Sequence, residues 1–285
     1  DAQESRGLGD VYKRQAKAIA LMAGQNRPLW DFEDVGDNYL RVNVAGMAPV
    51  VAVPTTAGTG SEVGRASVIT DEAAHVKRII FHARMLPAIV ILDPELTTGL
   101  PPKITAATGM DALSHNLEAY CSPFFHPMAA GIALEGMRII KEYLPQAVAD
   151  GADLQARQQM LVASSMGATA FQRGLGAMHA LAHPLGALYD AHHGMLNAIL
   201  MPYVLKANQH AVAPRLQALA RYLALPDDNP GAVLDWVLAL RETVGIPHTL
   251  ADIGINDSEA DRVGRMASED PSGGTNPVTY TPEQY

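Results

Sequence analysis

The first hundred residues carry short apolar runs separated by polar stretches. The runs "APVVAVP" (48–54) and "AIVILDP" (88–94) are continuously apolar and end in proline, as buried parallel strands often do. "AKAIALMAG" (16–24) has apolar residues at helical spacing and ends in glycine. "RASVITDEAAHVKRIIF" (65–81) contains two β-branched runs around a polar turn at Thr70–Ala74. The pattern predicts an α/β unit for this part of the chain.

The pattern changes after "GLPPK" (99–103). From there apolar residues recur at i, i+3 and i+4, which predicts amphipathic helices. The predicted helical segments are 106–120, 129–144, 154–171, 195–208, 214–225 and 231–244. Because the Pro101–Pro102 pair lies where the pattern changes, we expect an α/β unit over residues 1–100 and an all-helical unit over 101–285.

Composition narrows the range of functions. The 285 residues carry a formal net charge of −9 and contain no run of lysine or arginine, so a nucleic-acid partner is not expected. No apolar run reaches the roughly 18 residues that span a bilayer, and the polar first residues lack the apolar core of a signal peptide. Cys121, the only cysteine, indicates a reducing compartment and is expected to be a small buried hydrophobe. These features predict a soluble cytoplasmic protein without a membrane partner.

Histidines are concentrated in "GAMHALAHPLGALYDAHHGM" (176–195), which holds four of the ten in the chain. His179 and His183 are four residues apart, as are Asp111 and His115, and residues four apart share one face of a helix. Imidazole and carboxylate groups together suit a divalent first-row metal ion. Each pair alone is also typical of a surface pair or a helix cap, and spacing does not show which histidines bind a metal.

The position of Pro184 bears on where the histidines point. A residue that precedes proline is disfavoured in the α-helical region of backbone space. Because His183 directly precedes Pro184, the sequence predicts that the helix ends there. His183 is then expected to point in a different direction from His179.

A glycine-containing loop, "VPTTAGTGSEV" (53–63), follows the first predicted strand. Gly58 and Gly60 let backbone N–H groups approach a ligand, and the neighbouring threonine and serine residues add hydroxyl groups. A loop of this kind after a strand often holds phosphate groups in α/β proteins. It matches neither of the common phosphate-loop patterns, so a tight turn that ends in a helix cap is an equally good interpretation.

Taken together, the motifs resemble those of the iron-containing (group III) alcohol dehydrogenases from Ala16 to the end of the chain. The segments that carry the resemblance are "PTTAGTGSEV", "LDPELT", "GLPPKITAATGMDALSHNLEAY", "MHALAHPLGALYDAHHGMLNAILMPYV" and "GGTNPVTYTPEQY". The resemblance implies an NAD(P)-dependent enzyme that interconverts a small primary or secondary alcohol and its aldehyde or ketone. It also implies an incomplete α/β, Rossmann-like dinucleotide-binding domain over 1–100, followed by an all-α helical-bundle domain over 101–285 that binds the metal and carries the catalytic residues.

The resemblance assigns a metal site by position. The ligands of Fe²⁺ or Zn²⁺ would be Asp111, His115, His179 and His193. His183 would not be a ligand but a catalytic residue on the proton path, to which an ordinary imidazole pKa near 6.5 is suited. The metal would act as a Lewis acid on the oxygen of the alcohol or aldehyde substrate. His192 matches no ligand position.

The resemblance also implies a cofactor site for NAD or NADP. Its expected contacts are Thr55, Thr56, Thr59, Lys77, Leu96 and Thr97. Without the resemblance, Lys77 would be interpreted as a solvated surface lysine. Relatives assemble as dimers or larger oligomers, so a homodimer is expected for the full-length form.

The N-terminal residues depart from the family pattern. A "GGGS" loop is expected just before the helix at 16–24, but "RGLGDVYKRQ" stands there, and the earlier strands are absent. The chain is therefore interpreted as N-terminally truncated or as having an atypical N-terminus, with a metal-binding helical domain and weak or absent dehydrogenase activity. Two alternatives remain: a metal-binding fragment without this activity, and a metal-dependent hydrolase or lyase with His183 as its base.

Overall fold

The computed structural model of the chain describes residues 8–71 and 76–285, without the side chains of residues 8–14, 70, 76 and 77. The chain begins with helix α1 (Leu8–Met22), which packs on the hairpin formed by β2 (Ala66–Asp71) and β3 (Val76–Phe81). The hairpin is antiparallel, with Ala66 opposite Phe81. Both predicted β-branched runs are thus strands, while the turn predicted at Thr70–Ala74 lies largely outside the described residues.

A second pair of strands is parallel. β1 (Val51–Ala52) pairs with β4 (Ile89–Val90), with Val51 opposite Ile89. These strands lie within the two apolar runs from which parallel strands are predicted. The glycine loop follows β1 directly, as expected. A small core joins the α/β elements and consists of Leu21, Phe32, Val42, Ile80 and Met85.

Eight further α-helices follow β4 in the described chain. They are α2 (Pro102–Cys121), α3 (Pro127–Ala149), α4 (Leu154–Ala170), α5 (Ala177–Tyr189), α6 (His193–Asn208), α7 (Ala213–Tyr222), α8 (Gly231–Thr243) and α9 (Ala260–Glu269). α2 is central: it packs against α3, α4 and α6, and nearly all its residues from Thr105 onward are buried. All six predicted helical segments are present. α9 is not among the predicted helices.

The prediction that the helix ends at His183 is wrong. α5 continues through Pro184 to Tyr189. A proline inside a helix removes one backbone hydrogen bond and costs about 3 kcal/mol or more. Here Pro184 is buried, and its neighbour Leu185 packs into a second apolar cluster with residues of α6 and α9, which stabilises the continued helix. His179 and His183 therefore lie on one helix face, with ring centroids 6.1 Å apart.

No helix in the described part of the chain is long and apolar enough to cross a membrane.

Candidate metal centre

Two helices meet closely where the histidines gather. α6 begins at His193, and the next residue, Gly194, lies against α2. A Cβ atom on Gly194 would lie 2.5 Å from the Ala107 carbonyl oxygen and 3.1 Å from the Asp111 Cβ. Only glycine therefore allows this approach, and it places His193 beside Asp111.

A carboxylate and two imidazoles converge at this crossing. One potential ligand atom each of Asp111, His179 and His193 lies within 4.8 Å of the other two. The Asp111 Oδ1 and His193 Nε2 atoms are 3.6 Å apart, close to the roughly 3.4 Å that separates two ligands each about 2.1 Å from a tetrahedral metal ion. Asp111 and His179 are buried, whereas the His193 side chain is 35% exposed. The site thus has one accessible side.

His115 lies beside this group but is not part of the converging set. Its ring stacks on the His179 ring with centroids 4.7 Å apart, and Phe171 flanks it at 5.1 Å. The ring is buried, and its Nδ1 atom has no hydrogen-bond partner within the described structure. The structure therefore brings together three of the four expected ligands and places the fourth in contact with one of them.

Asn197, which the sequence analysis did not identify, lies at the centre of the group. Its Nδ2 atom is 2.8 Å from Asp111 Oδ1, 3.1 Å from His193 Nε2 and 3.2 Å from His179 Nε2. The Asp111 carboxylate can only accept, so the amide nitrogen donates one of its two hydrogens to it, and the second hydrogen is left for one of the two Nε2 atoms. Asn197 lies one helical turn after His193, and that i,i+4 spacing was the available signal.

The electrostatics of the group suit a cation. Burial acts to raise the pKa of Asp111, but the imidazoles of His115, His193 and His179, with the Asn197 amide, outweigh it and hold the pKa below its ordinary value. Burial holds the pKa values of His179 and His193 well below the ordinary value. Burial thus keeps both rings neutral at pH 7, as metal ligands must be, and the Asn197 N–H stabilises the ionised form of Asp111.

Glu118 is a second buried carboxylate in contact with the group. Its Oε2 atom lies 2.7 Å from His179 Nδ1. Burial raises the pKa of Glu118 to about 7, while the Met178 and Gly176 backbone N–H groups that it accepts act to lower it. Glu118 is not among the site residues predicted from the sequence.

His183 lies at the accessible side of the group. Its ring stacks on the His193 ring at 5.5 Å, and its side chain is 41% exposed. The Nδ1 atom is 2.8 Å from the Asp270 carboxylate. His192, by contrast, caps the start of α6 by accepting a hydrogen bond from the Met195 backbone N–H. Cys121 is buried, as expected, and burial raises the pKa of its thiol to about 12.

The glycine loop packs against the helical part of the chain. Gly60 has a φ of +57°, and a Cβ there would lie 2.2 Å from the Ala168 Cβ on α4. Thr55 is exposed, while Thr56 and Thr59 are partly exposed. The Thr59 hydroxyl accepts a hydrogen bond from the Ser61 backbone N–H at 3.4 Å. The loop therefore presents hydroxyl groups beside a strand end.

The other expected cofactor contacts, Leu96, Thr97 and Lys77, differ in their exposure and position. Leu96 is 48% exposed, whereas Thr97 is buried and its hydroxyl donates to the Pro94 carbonyl oxygen. Thr97 and Ala57 of the glycine loop line one small cavity, so the two stretches are neighbours. The backbone of Lys77 lies in β3, and its side chain is outside the described structure.

A parallel strand pair with a glycine loop, set beside a helical bundle that holds a buried carboxylate–imidazole group, is typical of an enzyme that uses both a dinucleotide and a metal ion. Comparison with known proteins identifies the family. The family model "iron-containing alcohol dehydrogenase" matches residues 15–94, and "Fe-containing alcohol dehydrogenase family, C-terminal" matches residues 105–285. The chain belongs to the iron-containing alcohol dehydrogenase family and is an oxidoreductase.

Individual relatives agree with this membership. The chain is 40% identical to a 4-hydroxybutyrate dehydrogenase of Cupriavidus necator, over 95% of this chain and 72% of the relative. It is 37% identical to an NAD-dependent methanol dehydrogenase of Bacillus methanolicus, over 99% and 74%. Among solved structures, a 1,3-propanediol oxidoreductase has a TM-score of 0.89 at 35% identity, over 95% and 72%. A sulfoacetaldehyde reductase of Bifidobacterium kashiwanohense in complex with NAD⁺ has a TM-score of 0.88 at 30% identity, over 97% and 72%.

Proposed function

We propose that this protein interconverts a small primary or secondary alcohol and its aldehyde or ketone with NAD or NADP, at a divalent metal site. The observation that carries the proposal is the convergence of Asp111, His179 and His193 within 4.8 Å. The proposed ligands are Asp111, His115, His179 and His193. His115 is included because its buried ring contacts His179 and has an unpartnered nitrogen.

The donor set fits Fe²⁺ or Zn²⁺. One carboxylate and several imidazoles, without a thiolate, suit a divalent first-row ion, and the Nε2 atoms of His179 and His193 face the centre of the group. When bound, such an ion supplies a Lewis acid for the substrate oxygen. Asp111 contributes the negative charge, and its burial reduces the screening by water of its attraction for a cation.

His183 is the proposed catalytic residue for proton transfer. Its Nδ1 faces the Asp270 carboxylate, so Nδ1 carries the proton and Nε2 is left as the acceptor. The half-exposed ring lies beside His193, at the accessible side of the site. There His183 can take a proton from a bound alcohol and exchange it with solvent.

The proposed dinucleotide contacts are Thr55, Thr56, Thr59, Lys77, Leu96 and Thr97. They are supported by the position of the loop after β1 and by the neighbouring Thr97 stretch. We also propose an incomplete Rossmann-like domain over 1–100 and a catalytic helical domain over 101–285. As the resemblance implies, we propose a cytoplasmic location and a homodimer for the full-length form.

The substrate class follows from what the relatives share. Their names describe dehydrogenases or reductases of methanol, 1,3-propanediol, 4-hydroxybutyrate and sulfoacetaldehyde. Each of these molecules is small and carries an alcohol or an aldehyde. We therefore propose a short-chain substrate of that kind.

The test uses protein loaded anaerobically with Fe²⁺ or Zn²⁺. NADH fluorescence on mixing reports cofactor binding, and NADH oxidation is then followed with a panel of short-chain aldehydes. The expected result is weak oxidation that depends on metal and is lost in a His193→Ala variant. A fluorescence response without any metal-dependent oxidation would contradict the proposal.

A further inference from the structure

Glu118 projects from α2 and contacts His179 at Nδ1, the ring nitrogen that does not face the proposed metal. It lies seven residues after Asp111 and three after His115, so all three side chains project from one face of the helix. Asp111 points to α6, while Glu118 meets the start of α5. Its carboxylate is buried, and it is not among the proposed ligands.

Three donors converge on the two oxygens of Glu118. Oε1 accepts the Met178 backbone N–H at 2.7 Å, and Oε2 accepts the Gly176 backbone N–H at 2.8 Å. Oε2 also lies 2.7 Å from His179 Nδ1. Because the first N–H groups of a helix have no partner within the helix, the carboxylate satisfies two donors at the start of α5 and one ring nitrogen together.

The Glu118 carboxylate determines the tautomer of His179. An ionised carboxylate only accepts, so the proton of the neutral ring lies on Nδ1 and donates to Glu118 Oε2. Nε2 then carries a lone pair and faces the Asn197 amide nitrogen at 3.2 Å. This is the tautomer in which Nε2 is free to bind a metal ion.

We propose that Glu118 is a positioning residue, which fixes the ring and the tautomer of His179 so that Nε2 is presented to the metal. The inference rests on the proposed metal site, but the tautomer of His179 can be measured in the metal-free protein. An amide cannot replace the carboxylate. It offers one acceptor atom, and its NH₂ group would face a donor whichever way it turned.

Asn276 provides a matched control. Its Oδ1 atom accepts the Ala177 backbone N–H at 3.1 Å, so it also holds the start of α5. A Cβ on Gly176 would lie 2.8 Å from Glu118 Oε1 and 2.9 Å from Asn276 Oδ1, so both side chains lie against the backbone of Gly176. Asn276 bonds to Asn208 and Val278 but has no recorded contact with His179. A purely structural role of Glu118 would thus be shared by Asn276.

The first measurement compares Zn²⁺ affinity at pH 8, where the Glu118 carboxyl is ionised, in the parent, Glu118→Gln and Asn276→Ala, by competition with a chromophoric chelator. Urea unfolding of each metal-free protein shows that it is folded. The expected result is an affinity about 10–100-fold weaker in Glu118→Gln, as is usual when the partner of a metal-binding histidine is lost, and unchanged in Asn276→Ala. An equal loss in both variants, or no loss in Glu118→Gln, would overturn the inference.

The second measurement needs no metal. Nitrogen-15 NMR of the histidine rings reports the proton on His179 Nδ1, assigned by its loss in a His179→Gln variant. The parent should show a downfield Nδ1 proton bound to a carboxylate, and Glu118→Gln should move it upfield. An unmoved signal overturns the inference whether or not metal binds. A parent with the expected signal but no Zn²⁺ binding would instead refute the proposed function.

Discussion

His183 on α5 and Asp270, directly after α9, are joined by a 2.8 Å contact between Nδ1 and a carboxylate oxygen. The residues are 87 positions apart in the chain, so the C-terminal segment orients a side chain of the central histidine region. Asp270 is only 15% exposed, and its second oxygen caps the following turn by accepting the Ser272 backbone N–H. The contact aims the free Nε2 of His183 at the accessible side of the site.

An Asp270→Asn variant tests this contact. Asparagine can retain the cap to Ser272, but it removes the charge that stabilises a protonated His183. We expect turnover at least about tenfold lower with unchanged metal content, because general acid–base groups contribute about 10²–10⁴ to rate. Asp261→Asn, an exposed change on α9, is the control. Equal turnover in both variants would show that Asp270 does not act through His183.

Replacing Asn197 by alanine should affect the metal-free and metal-loaded proteins differently. The amide is the recorded hydrogen-bond donor to the buried Asp111 carboxylate, and leaving a buried acceptor unpaired costs about 1–3 kcal/mol. A bound cation would satisfy the same oxygen. We expect the free energy of unfolding in urea to fall by that amount with chelator present, and by less with saturating Zn²⁺. The same loss in both conditions would contradict a metal site at these atoms.

The metal-free protein should lose stability as the pH falls. His179 and His193 stay neutral when folded, because burial lowers their pKa values, but they titrate near about 6.5 when unfolded. Below that pH the unfolded state binds two more protons at these rings. Burial raises the pKa of Glu118 to about 7, so the folded state gains one proton that offsets one of them. The net effect is a loss of about 1.4 kcal/mol per pH unit between about pH 6 and 5.

Urea unfolding at several pH values with chelator present measures this slope. A His193→Gln variant removes one of the two histidines and should flatten it. A slope that is unchanged by His193→Gln would contradict the protonation assigned to the site.

Labelling of the Cys121 thiol should measure unfolding of the protein, because the thiol is unreactive in the folded state. Cys121 is buried at the end of α2, and burial raises the pKa of its thiol to about 12, so almost no thiolate forms at pH 8. We expect labelling by a thiol reagent only as the protein unfolds in urea, and saturating Zn²⁺ should shift that labelling to higher urea concentration. Rapid labelling of the folded protein would contradict its burial.

The sequence predicted most helices because their apolar residues recur at helical spacing, and it predicted the strand pairs from their β-branched and continuous apolar runs. α9 was not predicted although Ala260, Val263 and Ala267 recur at helical spacing, because the helix has only ten residues and the pattern is short. The end of α5 was predicted wrongly, because the local effect of Pro184 is outweighed by packing against α6 and α9.

The spacing of Asp111, His115, His179 and His183 indicated a metal site without assigning its ligands. The resemblance proposed the ligands, and the structure brings three of those residues together. Two contacts of the histidines with carboxylates could not be predicted. Glu118 and Asp270 lie 61 and 87 residues from the histidines that they contact, and single-sequence spacing carries no signal for such contacts.

The carboxylate and imidazoles near α2, α5 and α6 are proposed to hold one metal ion. The iron content per chain, after anaerobic loading with Fe²⁺ and removal of the excess, tests this in the parent and in His193→Ala. We expect about one equivalent in the parent, as for a single site, and little in the variant. No retained iron in the parent, or equal iron in both proteins, would contradict it.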